Sequence, residues 1–301
     1  MTRKQRVFRG CATALVTPFI DSKIDYLAFE NLIEYQIENG INAIVVLGTT
    51  GEAPTISEEE RGEIISFAKD KIRNRVKLIV GTGTNSTEST VRYSKSAYSL
   101  GADALLCVSP YYNKPTYGGM VEHYKQIAKE VDLPIILYNV PSRTGVNIPI
   151  SVYDALKDVE NIVAIKEASA NMGYFGEIKE KYGDSFYLYT GNDDLTLCSL
   201  AMGGDGVISV VSNALPKEMT ELCDSFFEGK IEKSLKIQLG LLKLIRELFW
   251  ETNPVPIKEL LSQLKMCKNE HRLPLFSSTR QKEISFFREK IENGDYRKLS
   301  L

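Results

Sequence analysis

Gly101-Ala102-Asp103-Ala104-Leu105-Leu106-Cys107-Val108-Ser109 is the stretch on which the reading of the fold turns. Its first half is a joint. Glycine can end a helix at positive φ, aspartate suits a turn, and a small residue admits the chain into a crowded strand. Its second half is a short apolar run without polar alternation, the pattern of a parallel strand buried on both faces. The same joint precedes apolar runs at Gly40-Ile41-Asn42-Ala43 and Gly203-Gly204-Asp205-Gly206. Recurrence of one helix-to-strand joint favours repeated βα units over an unrelated mixture of helices and sheet.

Eight such runs are legible along the chain: Thr13–Val16, Ala43–Leu47, Lys77–Val80, Ala104–Val108, Pro134–Tyr138, Ile162–Ile165, Phe186–Tyr189 and Gly206–Val210. The spacing between them leaves room for one helix and two loops each. Between them, Ser57 and Glu60 form a capping box ahead of Ile64, Ile65, Ala68 and Ile72 on one face. Phe29, Leu32, Ile33 and Ile37 make a second amphipathic stripe before Gly40. Beyond Val210 the pattern turns helical, near Lys217–Phe227, Ile231–Trp250, Val255–Leu264 and Ser278–Asn293, with Asn253-Pro254-Val255-Pro256 as a breaker. The expected fold is an α/β (β/α)8 TIM barrel over residues 1–225 with a helical C-terminal extension over 226–301.

Composition narrows the function. With 43% hydrophobic and 25% charged residues the chain can bury a sizeable core, and a net charge of -2 gives no electrostatic reason to bind nucleic acid or an acidic membrane. Arg3-Lys4-Gln5-Arg6 reads as a frayed basic tail. No apolar stretch is long enough for a membrane span and no signal-peptide region opens the chain, so a cytoplasmic location is expected. Cys11, Cys107, Cys198, Cys223 and Cys267 are dispersed, without a CxxC pair, and read as reduced, buried thiols. His123 and His271 are the only histidines and have no metal-ligand spacing, so no metal is expected.

In a barrel of this kind the active site lies at the C-terminal ends of the strands. Those ends are polar: Thr17, Thr49-Thr50, Thr82, Ser109, Tyr138-Asn139, Lys166-Glu167, Thr190 and Ser209. Hydroxyls and one lysine converging on one mouth argue against metal hydrolysis and a histidine triad. Lys166, ending an apolar run, has two readings. It is a rim lysine paired with Glu167, or an amine kept nucleophilic by burial and poised to form an imine with a ketone. Tyr138 is an ordinary half-buried aromatic, or a proton shuttle aided by a hydroxyl such as Thr49. The glycines of Gly48-Thr49-Thr50-Gly51-Glu52 let backbone amides approach a small anion, though the loop lacks a P-loop ending.

Four motifs, in order and each at an expected strand end, resemble the dihydrodipicolinate synthase (4-hydroxy-tetrahydrodipicolinate synthase) family of class I pyruvate-dependent aldolases. They are Gly48-Thr49-Thr50-Gly51-Glu52, Ser109-Pro110-Tyr111-Tyr112-Asn113-Lys114-Pro115, Tyr138-Asn139-Val140-Pro141-Ser142-Arg143-Thr144-Gly145 and Ile165-Lys166-Glu167-Ala168. The resemblance implies a Schiff base between Lys166 and pyruvate. It implies a proton relay of Tyr138, Thr49 and Tyr112, the last supplied by a neighbouring subunit. Thr50 and nearby amides would hold the pyruvate carboxylate, and Arg143 the carboxylate of L-aspartate 4-semialdehyde. Gly191 and the Ile208 carbonyl would line the pocket. No cofactor is implied, and a homotetramer built from dimers is. At a lysine-effector site, to which Asn85 and Tyr111 would correspond, Glu58 and Ser89 depart from the family's basic residue and glutamate. Two other readings share the scaffold: an N-acetylneuraminate lyase or 2-keto-3-deoxy sugar acid aldolase, and a non-catalytic binding barrel. Arg143 and the tyrosine pair favour an acidic semialdehyde over a polyol.

Overall fold

A ring of backbone ladders organises the computed structural model, which describes residues 4–294. Eight parallel strands form it: β1 (Gly10–Ala14), β2 (Ala43–Val46), β3 (Lys77–Gly81), β4 (Ala104–Val108), β5 (Ile135–Asn139), β6 (Ile162–Glu167), β7 (Tyr187–Thr190) and β8 (Gly206–Ser209). Each pairs with the next, and β8 returns to β1 in the register Gly10↔Gly206 and Thr13↔Ser209, closing the barrel. The eight runs expected from sequence are the eight strands. The first was misplaced: Thr13–Val16 was expected, whereas β1 covers Gly10–Ala14, and Thr17 lies beyond its end. Gly10 is a poor strand former by composition, and its pairing with Gly206 in the closing ladder to β8 draws it into the sheet.

The recurrent joint has a common bonding pattern. Gly40, Gly101 and Gly203 sit at φ +81, +85 and +85, where a side chain would be strained. Two residues later, the Asx side chain starts the neighbouring ladder. Asn42 Oδ1 accepts from Cys11 N (2.8 Å), Asp103 Oδ2 from Leu78 N (3.0 Å) and Asp205 Oδ2 from Leu188 N (3.0 Å). Each Asx amide also donates to the carbonyl of that same partner residue. A carboxylate or amide thus satisfies a strand N–H that would otherwise begin the sheet unpaired.

Helices α1 (Tyr26–Glu38), α2 (Glu58–Ile72), α3 (Thr87–Ser99), α4 (Tyr117–Glu130), α5 (Pro141–Thr144), α6 (Ile150–Leu156), α7 (Met172–Tyr182) and α8 (Thr196–Ala201) follow the successive strands. The capping box at Ser57 and Glu60 is formed. After β8 come α9 (Pro216–Phe227), α10 (Ile231–Leu248), α11 (Val255–Gln263) and α12 (Gln281–Glu292). A two-stranded ribbon at Phe19–Ile20 and Lys23–Ile24 was not anticipated. Its turn residues Asp21 and Ser22 both have positive φ.

Two apolar layers result. The larger lies between strands and helices and holds the bulky strand positions, such as Ile44, Leu78, Leu105, Leu137 and Ile165. The smaller fills the barrel interior and is rich in alanine at Ala12, Ala14, Ala43, Ala104 and Ala164, with Ile136, Tyr138 and Tyr189. Inward positions must fit a narrow ring, so small residues and a few large ones alternate there. Lys4 and Arg6 correct the reading of a frayed tail. Lys4 Nζ donates to the Ile162 carbonyl (2.6 Å) and Arg6 pairs with Asp205 (3.0 Å), tying the chain to the bottom of the barrel; Arg3 lies outside the described residues. Of the cysteines, Cys11, Cys107 and Cys223 are buried, but Cys198 is exposed and Cys267 half-buried. Among the described residues no helix is long and apolar enough to cross a membrane.

Candidate active site

Strand parity decides which side chains enter the barrel mouth. Register places Tyr138 of β5 beside Lys166 of β6, and Lys166 beside Tyr189 of β7. Ala164 and Lys166 share the inward face, so the lysine rises from the alanine-lined interior. Lys166 is 5% exposed, and its Nζ lies 4.3 Å from the centre of the Tyr138 ring. The aromatic face holds the end of the lysine in place, and among the described residues no salt bridge ties it.

Glu167, one residue on, points the other way. Its Oε2 accepts from Asn139 Nδ2 (2.7 Å) and its Oε1 from Ser169 N (2.6 Å). Burial raises the Glu167 carboxyl above its ordinary range, and those hydrogen bonds oppose the rise. The rim pair of Lys166 with Glu167 is not formed, because successive strand residues face opposite sides.

Gly191 follows β7 and leaves space for the lysine. A Cβ there would fall 2.7 Å from Lys166 Cε and 2.7 Å from Ala168 Cβ. Past it lies Asp193, fully buried and not singled out by the sequence. Its Oδ2 accepts from Val210 N (3.0 Å) and Val211 N (3.2 Å), which anchors the turn after β8. Burial pushes this carboxyl up, while the hydrogen bonds and the Lys166 charge hold it down. Ile208 is buried on β8, opposite Ala12 of β1.

A cavity of about 320 Å³ opens above the strands. Thr49, Tyr138 and Arg143 line it, together with Leu106 and Val108 of β4. Thr50 is buried, and its hydroxyl accepts from Asn253 Nδ2 (2.9 Å). The Asn253 carbonyl accepts from Arg143 Nη2 (2.9 Å), so one residue of the extension bridges two of the expected recognition groups. Asn253 Oδ1 is buried without a partner. The sequence marked Asn253-Pro254-Val255-Pro256 as a breaker, and no local signal singled out Asn253 as a bridge, because both its partners lie more than a hundred residues away. Arg61 of α2 also lines the cavity, donating to the carbonyls of Gly81 (3.3 Å) and Ala53 (3.0 Å).

Tyr112 stands apart. It is 90% exposed, at φ +69, and contributes nothing to this cavity. The expected ring of hydroxyls is also narrower than the strand ends suggested. Thr82 faces α3, accepting from Ser94 Oγ (3.0 Å), and Ser209 Oγ accepts from Ser212 N (2.9 Å). Thr17 Oγ1 donates to the Gly51 carbonyl (2.7 Å), so it braces the Gly48–Glu52 loop. At Glu58, where the resemblance departs, the carboxylate pairs with Arg92 of α3 (3.0 Å).

The geometry is that of a buried amine behind a phenol: Tyr138 and Arg143 line the cavity, whereas Lys166, Thr50, Gly191 and Ile208 do not, and Lys166 meets it only through the Tyr138 ring. Such a set can form an imine, move a proton at the adjacent carbon and hold an anionic partner. Proteins of known identity are similar to this chain over most of its length. The 4-hydroxy-tetrahydrodipicolinate synthase of Alkaliphilus oremlandii is 49% identical over 269 residues, 89% of this chain and 93% of its own length. That of Thermotoga maritima is 44% identical over 292 residues, 96% and 99%. Solved structures of dihydrodipicolinate synthase from Thermotoga maritima and Aquifex aeolicus superpose with a TM-score of 0.92 each. They are 44% and 43% identical, covering 97% and 95% of this chain and 100% and 98% of theirs. The dihydrodipicolinate synthetase family profile matches residues 7–291, and the chain belongs to that family.

Proposed function

We propose that this protein is a 4-hydroxy-tetrahydrodipicolinate synthase, condensing pyruvate with L-aspartate 4-semialdehyde through a Schiff base on Lys166. The observation that carries the reading is the buried Lys166 amine over the Tyr138 ring, at the mouth of the barrel. Lys166 attacks the pyruvate ketone and water leaves as the imine forms. Loss of a methyl proton gives an enamine, whose carbon attacks the aldehyde. The amino group of the second substrate then displaces Lys166 as the ring closes. Lysine itself supplies the electron sink, so no cofactor enters the scheme.

In this scheme Tyr138 and Thr49 pass protons, and Tyr112 joins them from a neighbouring subunit. The near-complete exposure of Tyr112, in a strained conformation, supports that assignment, since an unpaired surface tyrosine gains nothing from positive φ. Thr50 and the loop amides hold the pyruvate carboxylate, and Arg143 the carboxylate of the semialdehyde. Gly191 and the Ile208 carbonyl complete the pocket. The unit 1–225 supplies the chemistry, with 226–301 as its helical extension, residues beyond 294 lying outside the described ones. The assembly is a homotetramer of paired dimers in the cytoplasm.

Borohydride reduction in the presence of pyruvate should add one pyruvate-derived mass to the wild type and none to Lys166→Ala. A coupled assay should turn over pyruvate with aspartate semialdehyde and not with N-acetylmannosamine. An adduct on folded Lys166→Ala, or turnover only with the sugar, would overturn the reading.

A further inference from the structure

Beneath the Gly48–Glu52 loop lies an ion pair that the chemistry above does not use. Lys258 of α11 and Glu52 both have fully buried side chains, 2.7 Å apart. The three N–H bonds of the ammonium are all spoken for. They point to Glu52 Oε1, to the Thr17 carbonyl (3.1 Å) and, at short range, to the Glu270 carbonyl. The Phe19 ring lies 4.4 Å from Lys258 Nζ. The second carboxylate oxygen of Glu52 accepts from Arg272 N (3.3 Å).

Two routes run from this one ammonium to the loop. The direct route is the Glu52 side chain. Glu52 holds φ +54 with no glycine to ease it, a backbone geometry that persists only when its surroundings impose it. The second route passes through Thr17, whose carbonyl accepts from Lys258 while its hydroxyl donates to the Gly51 carbonyl (2.7 Å). Gly51 and Glu52 follow Thr49 and Thr50 directly. From the same C-terminal extension, Asn253 reaches Thr50 itself.

We infer that Lys258 is a positioning residue: through Glu52 and Thr17 it clamps the loop so that Thr50 and its neighbouring amides fit the pyruvate carboxylate. The inference rests on the proposed pyruvate chemistry. A buried charge pair in α11 is a costly way merely to add stability, because an apolar pair of similar volume often serves as well. What the pair adds is direction. The ammonium fixes three acceptors at once, and a hydrophobic contact would let the loop slide.

The test separates stability from positioning. Lys258→Met leaves Glu52 charged and buried alone, and should lower the thermal midpoint sharply. Adding Glu52→Gln removes the stranded charge and should recover most of that loss. If the pair positions the loop, the double variant still shows KM for pyruvate raised about tenfold, with KM for aspartate semialdehyde within about twofold of wild type. At saturating pyruvate it should still trap the borohydride adduct. A double variant with recovered midpoint and wild-type KM for pyruvate overturns the inference. Should neither Lys258 variant fold, Thr17→Val decides. It removes only the hydroxyl bond to Gly51, and an unchanged KM for pyruvate there would refute the clamp. The wild type run alongside reports on the reading itself: failure to trap pyruvate at all sinks the proposed activity, whereas trapping with an unmoved variant KM sinks only the clamp.

Discussion

A single missing side chain at position 191 lets Lys166 lie where it does. The lysine stem fills the space that any Cβ on that residue would need, at 2.7 Å from Cε. Gly191→Ala should therefore leave the fold intact and misplace the amine. We expect kcat/KM for pyruvate to fall by at least about a hundredfold, since a displacement of about 1 Å of a reacting group costs that much. Circular dichroism would report an unchanged fold; a variant with near-wild-type rate would show that the stem has room to move. Parity matters at this scale too. Tyr138 and Lys166 enter the mouth because they fall on the inward positions of adjacent strands, and Asn139 and Glu167 are turned away for the same reason. The sequence placed all four at strand ends but did not separate them. The separating signal was present, as alanines facing inward and larger aliphatics outward.

The helix-to-strand joint makes its own prediction at the scale of elements. Asp103 accepts from Leu78 N and returns its own amide to the Leu78 carbonyl, as Asn42 does with Cys11. What the joint needs is an acceptor, and the charge is incidental. Asp103→Ala strands a strand N–H and should cost about 1–3 kcal/mol of unfolding free energy. Asp103→Asn keeps the acceptor and forfeits only the partly exposed pairs with Lys69 and Lys77, together worth about 1 kcal/mol or less. Urea midpoints of the two variants should differ accordingly. Equal losses would mean that the ion pairs, and not the ladder, hold the joint.

Stability of the whole molecule should depend on its two histidines. Burial pushes His123 and His271 down to about 4, His271 also feeling the charge of Lys258. His123 projects from α4 toward the start of α3, with Thr87 Oγ1 2.9 Å from its Nδ1 and its Nε2 buried without a partner. Both folded values lie below the roughly 6.5 of an unfolded histidine. The unfolded chain therefore binds the extra protons first. The stability these residues contribute is complete above about pH 6.5 and is lost as pH falls toward 4, at up to about 1.4 kcal/mol per pH unit for each fully buried ring. His271, being partly exposed, contributes less. Urea midpoints between pH 7 and 5 should fall, and His123→Asn, which keeps a polar group near the Nδ1 position, should flatten that fall. A parallel decline in the variant would assign the effect to other groups.

The apolar runs, the helix caps, the repeated joint and the motifs at the strand ends were all written locally, because burial periodicity and turn geometry act over a few residues. They carried the barrel, its strand order and the position of Lys166. Closure decided the rest. Asn253 meets Thr50 across 203 residues and Lys258 meets Glu52 across 206. The basic start of the chain reaches Ile162 and Asp205, and β1 takes its register from β8. No local pattern encodes such contacts. They form because polar groups carried into the interior must find partners there, and the partners are those that folding brings within reach.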